Sequence, residues 1–107
     1  MAEKIGKKEF EEKIRNSSLP VVIDFYSDSC VACKKLSPAF SEAESVLKGK
    51  FLFYKVNTNF EDELTEIYEI MAIPTLVVFQ SGKEAGRKTG AQSPEKLLDW
   101  LKTFLNE

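Results

Sequence analysis

Three short runs of apolar residues alternate along the chain with segments in which apolar residues recur every three or four positions. The runs are rich in β-branched and aromatic side chains, which is typical of strands covered on both faces of a sheet. They are Leu19–Tyr26, Phe51–Asn57 and Thr75–Gln80. We therefore predict three buried strands.

The segments with helical spacing predict four helices, each with one buried stripe. The apolar positions of these stripes are Phe10 and Ile14; Cys33, Leu36, Phe40, Ala43 and Leu47; Phe60, Leu64, Ile67 and Met71; and Leu97, Leu98, Leu101 and Leu105. The first helix covers Lys7–Arg15, Gly49 ends the second, and Ser93 and Pro94 begin the last as N-cap and first-turn proline. Pro38 lies inside the second helix and predicts a kink there.

The order of the elements predicts the fold class. Ser81 and Gly82 form a turn signal before a more polar segment, Glu84–Thr89, which we interpret as an edge strand closed by Gly90. The order α-β-α-β-α-β-β-α indicates an α/β protein with helices on both faces of a central sheet and a right-handed parallel βαβ unit in its first half. Periodicity leaves open whether the third strand runs parallel or antiparallel to the second. We predict a single domain over residues 1–107, because no repeat or linker divides the chain.

Composition excludes several classes of function. Fifteen basic and 17 acidic residues give a net charge of −2, which disfavours nucleic acid binding through a basic face. The chain has no histidine, so it cannot form a Ser-His or Cys-His hydrolase pair or a histidine metal site. The charged N-terminal segment has no signal-peptide core, and the apolar runs are too short for a membrane span. We expect a cytoplasmic protein that binds neither membrane nor nucleic acid.

The two cysteines carry the candidate chemistry. Cys30 and Cys33 form one CxxC motif where a predicted strand gives way to a predicted helix. Unpaired N–H groups at a helix N-terminus stabilise a thiolate, so Cys30 is the expected nucleophile. The spacing of three brings Cys33 within one turn, where it can close a reversible disulfide. Lys34 and Lys35 would slightly favour the thiolate, and Asp28 would slightly oppose it.

The CxxC motif allows two other interpretations. The cysteines could be small buried hydrophobic residues that fall three apart by chance. A zinc site needs four ligands, so it would require two such motifs from two chains, that is, a metal-bridged dimer. The position between strand and helix favours the redox interpretation, and no metal or other cofactor is predicted.

Two charged residues lie inside apolar strands. Burial should raise the pKa of Asp24 and make it a candidate proton acceptor for Cys33, the deeper thiol; alternatively, Asp24 reaches solvent and has no chemical role. Lys55, on the predicted neighbouring strand, either pairs with Asp24 or extends outward to solvent. We expect Tyr26 and Phe60 to be packing residues. The sequence alone favours a trans bond before Pro74.

These motifs together resemble the thioredoxin family. The segments VVIDFYSDSCVACKKLSP, YKVN, IPTLVVFQSGK and TGAQSPEKLLDWL are similar to the family's in order and spacing, and they cover nearly the whole chain. The resemblance implies a thioredoxin-like fold with a mixed sheet of four to five strands and antiparallel hairpin strands. It also implies a cis bond before Pro74, which reverses the expectation from sequence alone.

The resemblance also implies roles for individual residues. Cys30 becomes the attacking and Cys33 the resolving cysteine, and Asp24 becomes the buried carboxylate with Lys55 as its lysine neighbour. The remaining implied positions are Ile73, Pro74 and Gly90 at the substrate groove, and Gly82 and Gly90 as structural glycines. The chain departs from the family's usual Trp-Cys-Gly-Pro-Cys run, since it has Ser29 before Cys30 and Val31-Ala32 between the cysteines. In the family, the residues between the two cysteines tune the reduction potential of the pair. We therefore hypothesise that the Cys30/Cys33 pair is less reducing than that of a general thioredoxin.

We therefore predict a thiol-disulfide oxidoreductase that acts on protein disulfides as a monomer and is regenerated by a reductase similar to thioredoxin reductase, or by another dithiol reductant. The alternative is a thioredoxin-like module that binds a partner or senses redox state with little turnover.

Overall fold

A computed structural model describes residues 2–105. The strands are β1 (Glu3–Lys4), β2 (Val21–Tyr26), β3 (Leu52–Asn57), β4 (Thr75–Gln80) and β5 (Lys83–Thr89). The helices are α1 (Lys7–Arg15), α2 (Val31–Val46), α3 (Asp62–Ile67) and α4 (Pro94–Lys102), and a short 3-10 turn follows at Thr103–Leu105. The outermost residues of the predicted domain, Met1, Asn106 and Glu107, lie outside the described part.

The strands form one mixed sheet in the order β1-β3-β2-β4-β5. β2 and β3 are parallel and joined through α2, whereas β4 is antiparallel to both β2 and β5. This pairing confirms the predicted α/β class and answers the open question about the third strand. β1, which pairs with β3, was not predicted, because two residues are too short to show a periodic pattern.

Alternation along the strands divides the core into two layers. Val21, Ile23 and Phe25 of β2 face the layer that contains α1 and α3. Val22 faces the opposite layer, which contains the buried residues of α2 and α4. Helices therefore cover both faces of the sheet, as predicted, and Asp24 follows Val22 on the α2 side.

Helix α2 places its stripe as predicted. All five of its expected apolar positions are buried, namely Cys33, Leu36, Phe40, Ala43 and Leu47. The helix continues through Pro38, and the kink stays a prediction. Helix α4 begins at the Ser93 cap with Pro94 in its first turn, and it buries Leu97 and Leu101 more completely than Leu98 and Leu105.

The predicted stripe of the third helix is wrong. Only Leu64 of its four apolar positions is buried. The other three are exposed: Phe60 by 75%, Ile67 by 55% and Met71 by 92%. The helix covers only the six residues Asp62–Ile67, so a stripe from Phe60 to Met71 cannot stay on one helical face. Tyr68 and Ile70 contact the core instead. The expectation that Phe60 is a packing residue is therefore also wrong.

The chain leaves α3 through Glu69, which has a φ of 50°. A side chain with a Cβ is unfavourable in this left-handed region, and glycine is not. We expect Glu69→Gly to stabilise the protein by about 1 kcal/mol. Glu66→Gly, in the helical turn before it, should destabilise by a similar amount. Urea unfolding measures the change in the free energy of unfolding for both variants. A loss of stability in Glu69→Gly would contradict the prediction.

Candidate active site

The cysteine pair lies at the junction of β2 and α2. Cys30 is the N-cap residue of α2, with extended backbone angles of φ −91° and ψ 113°. Its sulfur accepts a hydrogen bond of 3.1 Å from the backbone N–H of Cys33. The sulfur thus occupies the position of a capping oxygen, where the unpaired N–H groups of the first turn stabilise negative charge.

The two sulfurs form a disulfide, so the structure shows the oxidised form of the pair. The Cα atoms of Cys30 and Cys33 are 5.2 Å apart. Cys33 is only 6% exposed, whereas Cys30 is half-buried. The geometry therefore provides one accessible sulfur and one sheltered sulfur at the same helix end.

The three predicted substrate-binding residues form one series of contacts that begins at Cys30. The Cys30 sulfur is 3.8 Å from the carbonyl oxygen of Ile73, and the Ile73–Pro74 bond is cis, as the family resemblance implies. Gly90 donates its backbone N–H to the carbonyl of Pro74 at 2.8 Å. Gly90 has a φ of 93°, and the space where a Cβ would stand is open. Backbone conformation therefore accounts for glycine at this position.

Asp24 lies on the α2 side of the sheet and lines the same cleft as Cys33. It pairs with Lys55 of β3 and Leu76 of β4 in the strand register. The residue is 1% exposed, and its Oδ1 atom has no hydrogen-bond partner. Desolvation raises the pKa of Asp24 from 3.8 to about 7, and the charge of Lys55 opposes part of this rise. The predicted rise in pKa is thus confirmed, and the carboxyl can exchange a proton near neutral pH.

A cleft of about 170 Å³ brings Asp24, Cys33 and Lys55 together. Its other lining residues are Tyr26, Ser27, Asp28, Lys34 and Ser37. A larger hollow of about 450 Å³ lies beside Met71 and Arg87, so the chemistry of the lining, and not its size, distinguishes the cleft. The structure places both predicted proton-transfer partners within one small, partly polar space.

Some features of the site were not predicted. The Lys55 ammonium lies 4.4 Å from the centroid of the Tyr26 ring, a cation–π contact that the two predicted alternatives, pairing with Asp24 or extending to solvent, did not include. Asn57 donates its side-chain amide to Asp28 at 3.1 Å. The strand pairing of Tyr26 with Asn57 is the signal that could have revealed these neighbours, but it requires the register.

No cluster of three or more potential metal ligands occurs among residues 2–105. Over the same range, every helix is too short or too polar to cross a bilayer.

Comparison with known proteins identifies the family. The family model "Thioredoxin" matches residues 1–103. A thioredoxin of Rickettsia felis is 35% identical over 101 residues, which cover 94% of this chain and 96% of the relative. A thioredoxin of Rhodospirillum rubrum is 30% identical, covering 91% and 93%. A probable thioredoxin-2 of Caenorhabditis elegans is 33% identical and covers 92% of this chain and 68% of the relative.

The chain belongs to the thioredoxin family. Its fold is the thioredoxin fold, and its CxxC pair is the redox-active disulfide of a protein-disulfide oxidoreductase family. The protein is therefore a thiol-disulfide oxidoreductase, and the alternative of a binding module with little turnover is not favoured.

Proposed function

We propose that the protein reduces disulfides of other proteins, with Cys30 as nucleophile, Cys33 as resolving cysteine and Asp24 as proton acceptor. The observation that carries this proposal is the accessible Cys30 sulfur at the N-cap of α2, with the buried Cys33 one turn away. Three relatives that cover most of this chain bear the name thioredoxin, which supports the same activity.

The reaction begins from the dithiol form. The Cys30 thiolate attacks one sulfur of the substrate disulfide, a new S–S bond joins Cys30 to that sulfur, and the other substrate sulfur leaves as a thiolate that takes a proton from water. The N–H groups of the first turn of α2 favour the thiolate of Cys30 before this step.

The second step releases the substrate. Cys33 transfers its proton to Asp24, and its thiolate attacks the Cys30 sulfur. The bond between Cys30 and the substrate breaks, and the second substrate sulfur leaves as a thiolate. Two electrons have then passed from the dithiol to the substrate, and the product is the disulfide between Cys30 and Cys33 that the structure shows.

Substrate binding is proposed along Ile73, Pro74 and Gly90. The Ile73 carbonyl lies 3.8 Å from the Cys30 sulfur, and Gly90 is hydrogen-bonded to Pro74, so an extended segment that reaches Cys30 could pair there with backbone groups. Val31, the next residue after Cys30, is 68% exposed and offers apolar contact area to a substrate.

Regeneration requires a reductant of two electrons. A reductase similar to thioredoxin reductase, or another dithiol, would reverse the exchange at the same accessible sulfur. The monomeric state and the cytoplasmic location stay predictions.

Trapping of the substrate tests the proposal. In Cys33→Ser the first step can proceed and the second cannot, so we expect a stable mixed disulfide between Cys30 and a disulfide-containing protein such as insulin. Non-reducing electrophoresis and mass spectrometry detect this adduct, and the double variant Cys30→Ser/Cys33→Ser is the matched control. If Cys33→Ser formed no adduct while still folded, the assignment of Cys30 as nucleophile would be wrong.

A further inference from the structure

The Lys55 ammonium has two competing partners in the cleft. Lys55 pairs with Asp24 in the strand register, and Tyr26, two residues along β2, points to the same face of the sheet. The ammonium lies over the Tyr26 ring at 4.4 Å. Within residues 2–105, no ion pair of 4.0 Å or less joins it to Asp24.

Asp24 is sensitive to the position of this cation. Its Oδ1 atom is buried without a hydrogen-bond partner, so a neighbouring ammonium is little screened by water. The other charged groups that line the cleft are Asp28 and Lys34, and β4 contributes the uncharged Leu76 opposite Asp24. Movement of Lys55 from the ring toward Asp24 would stabilise the carboxylate and weaken it as a base.

We propose that Tyr26 is a positioning residue whose ring holds the Lys55 ammonium away from Asp24 and so keeps Asp24 an effective proton acceptor for Cys33. The inference rests on the role of Asp24 in the proposed function. Tyr26 thus joins Asp24 and Lys55 in the cleft, and it acts on Asp24 only through Lys55. The aromatic ring, and not the hydroxyl, is the part required.

Titration of Asp24 in the oxidised protein tests this role without turnover. In Tyr26→Leu, Lys55 loses the ring and can approach Asp24, so the pKa of Asp24 should fall by about 0.5 to 1. In Tyr26→Phe the ring remains, and the pKa should stay at the wild-type value. The side-chain carboxyl carbon signal of Asp24 in a pH series reports both values, and Tyr26→Met replaces Tyr26→Leu if that variant does not fold.

A double-mutant cycle separates positioning from simple shielding of the cleft. In Lys55→Met the cation is absent, so adding Tyr26→Leu should leave the pKa of Asp24 unchanged. An equal fall with and without Lys55 would mean that the ring only excludes water, which overturns the proposal. A fall in Tyr26→Phe, or no fall in Tyr26→Leu, overturns it as well. None of these results bears on whether Cys30 reduces disulfides, which the trapping experiment decides separately.

Discussion

Cys30→Ser should lose disulfide reductase activity by at least about a thousandfold, down to the uncatalysed background. A serine hydroxyl is not ionised near neutral pH and cannot enter thiol–disulfide exchange, so neither the mixed disulfide nor the final disulfide can form. The precipitation of insulin B chain in the presence of dithiothreitol measures this loss. The fold should be retained, because Cys30 is half-buried and caps α2 through its sulfur, a position that serine also fills well.

A neighbouring serine provides the matched control. Ser29→Ala changes an exposed side chain directly before Cys30 and should keep most of the activity. If Cys30→Ser retained substantial turnover, the reaction would have to begin at Cys33, which is only 6% exposed.

Asp24→Asn should make the oxidised protein more stable at pH 8, by roughly 4 kcal/mol relative to wild type. Burial raises the pKa of Asp24 to about 7 from 3.8 in an unperturbed chain, so the folded protein holds this proton more tightly than the unfolded chain. At pH 8 the wild type must keep a carboxylate in a site with 1% exposure. The asparagine variant has no charge to desolvate.

The pH dependence gives the sign of this effect. Because the folded pKa is raised, the stabilising contribution of protonated Asp24 is fully present below pH 3.8 and is lost as pH rises toward about 7. The difference in unfolding free energy between Asp24→Asn and wild type should therefore be small at pH 4, grow up to pH 7 and change little above it. Guanidinium unfolding at several pH values measures this difference, with the disulfide intact so that the cysteines do not titrate.

Asp99→Asn serves as the control for this series, because Asp99 is an exposed carboxyl on α4 and its replacement should produce no such trend. A wild-type protein as stable as Asp24→Asn at pH 8 would show that the Asp24 carboxylate is stabilised in the folded state by groups other than Lys55.

Much of the fold was predictable because local patterns and tertiary contacts agree. Helix α1 and strand β4 have the predicted bounds. The spacing of Phe10 and Ile14 indicates the helix, and a continuous apolar run indicates the strand. The buried stripe of the third helix was predicted wrongly. The spacing of Phe60, Ile67 and Met71 suits a longer helix, but α3 covers only Asp62–Ile67 and leaves these three side chains exposed.

The chemistry of the site can be inferred from the residues alone: two thiols at the start of a helix, a carboxyl among apolar neighbours, and a proline and a glycine at strand ends. These are local properties, because helix polarity and burial within a strand act over a few residues. Which of these groups come into contact is fixed by the packing of the fold. The contact of Cys30 with Ile73, the shared cleft of Asp24 and Cys33, and the position of Lys55 over Tyr26 depend on strand register and side-chain packing between distant segments, and periodicity along one segment carries no information about either.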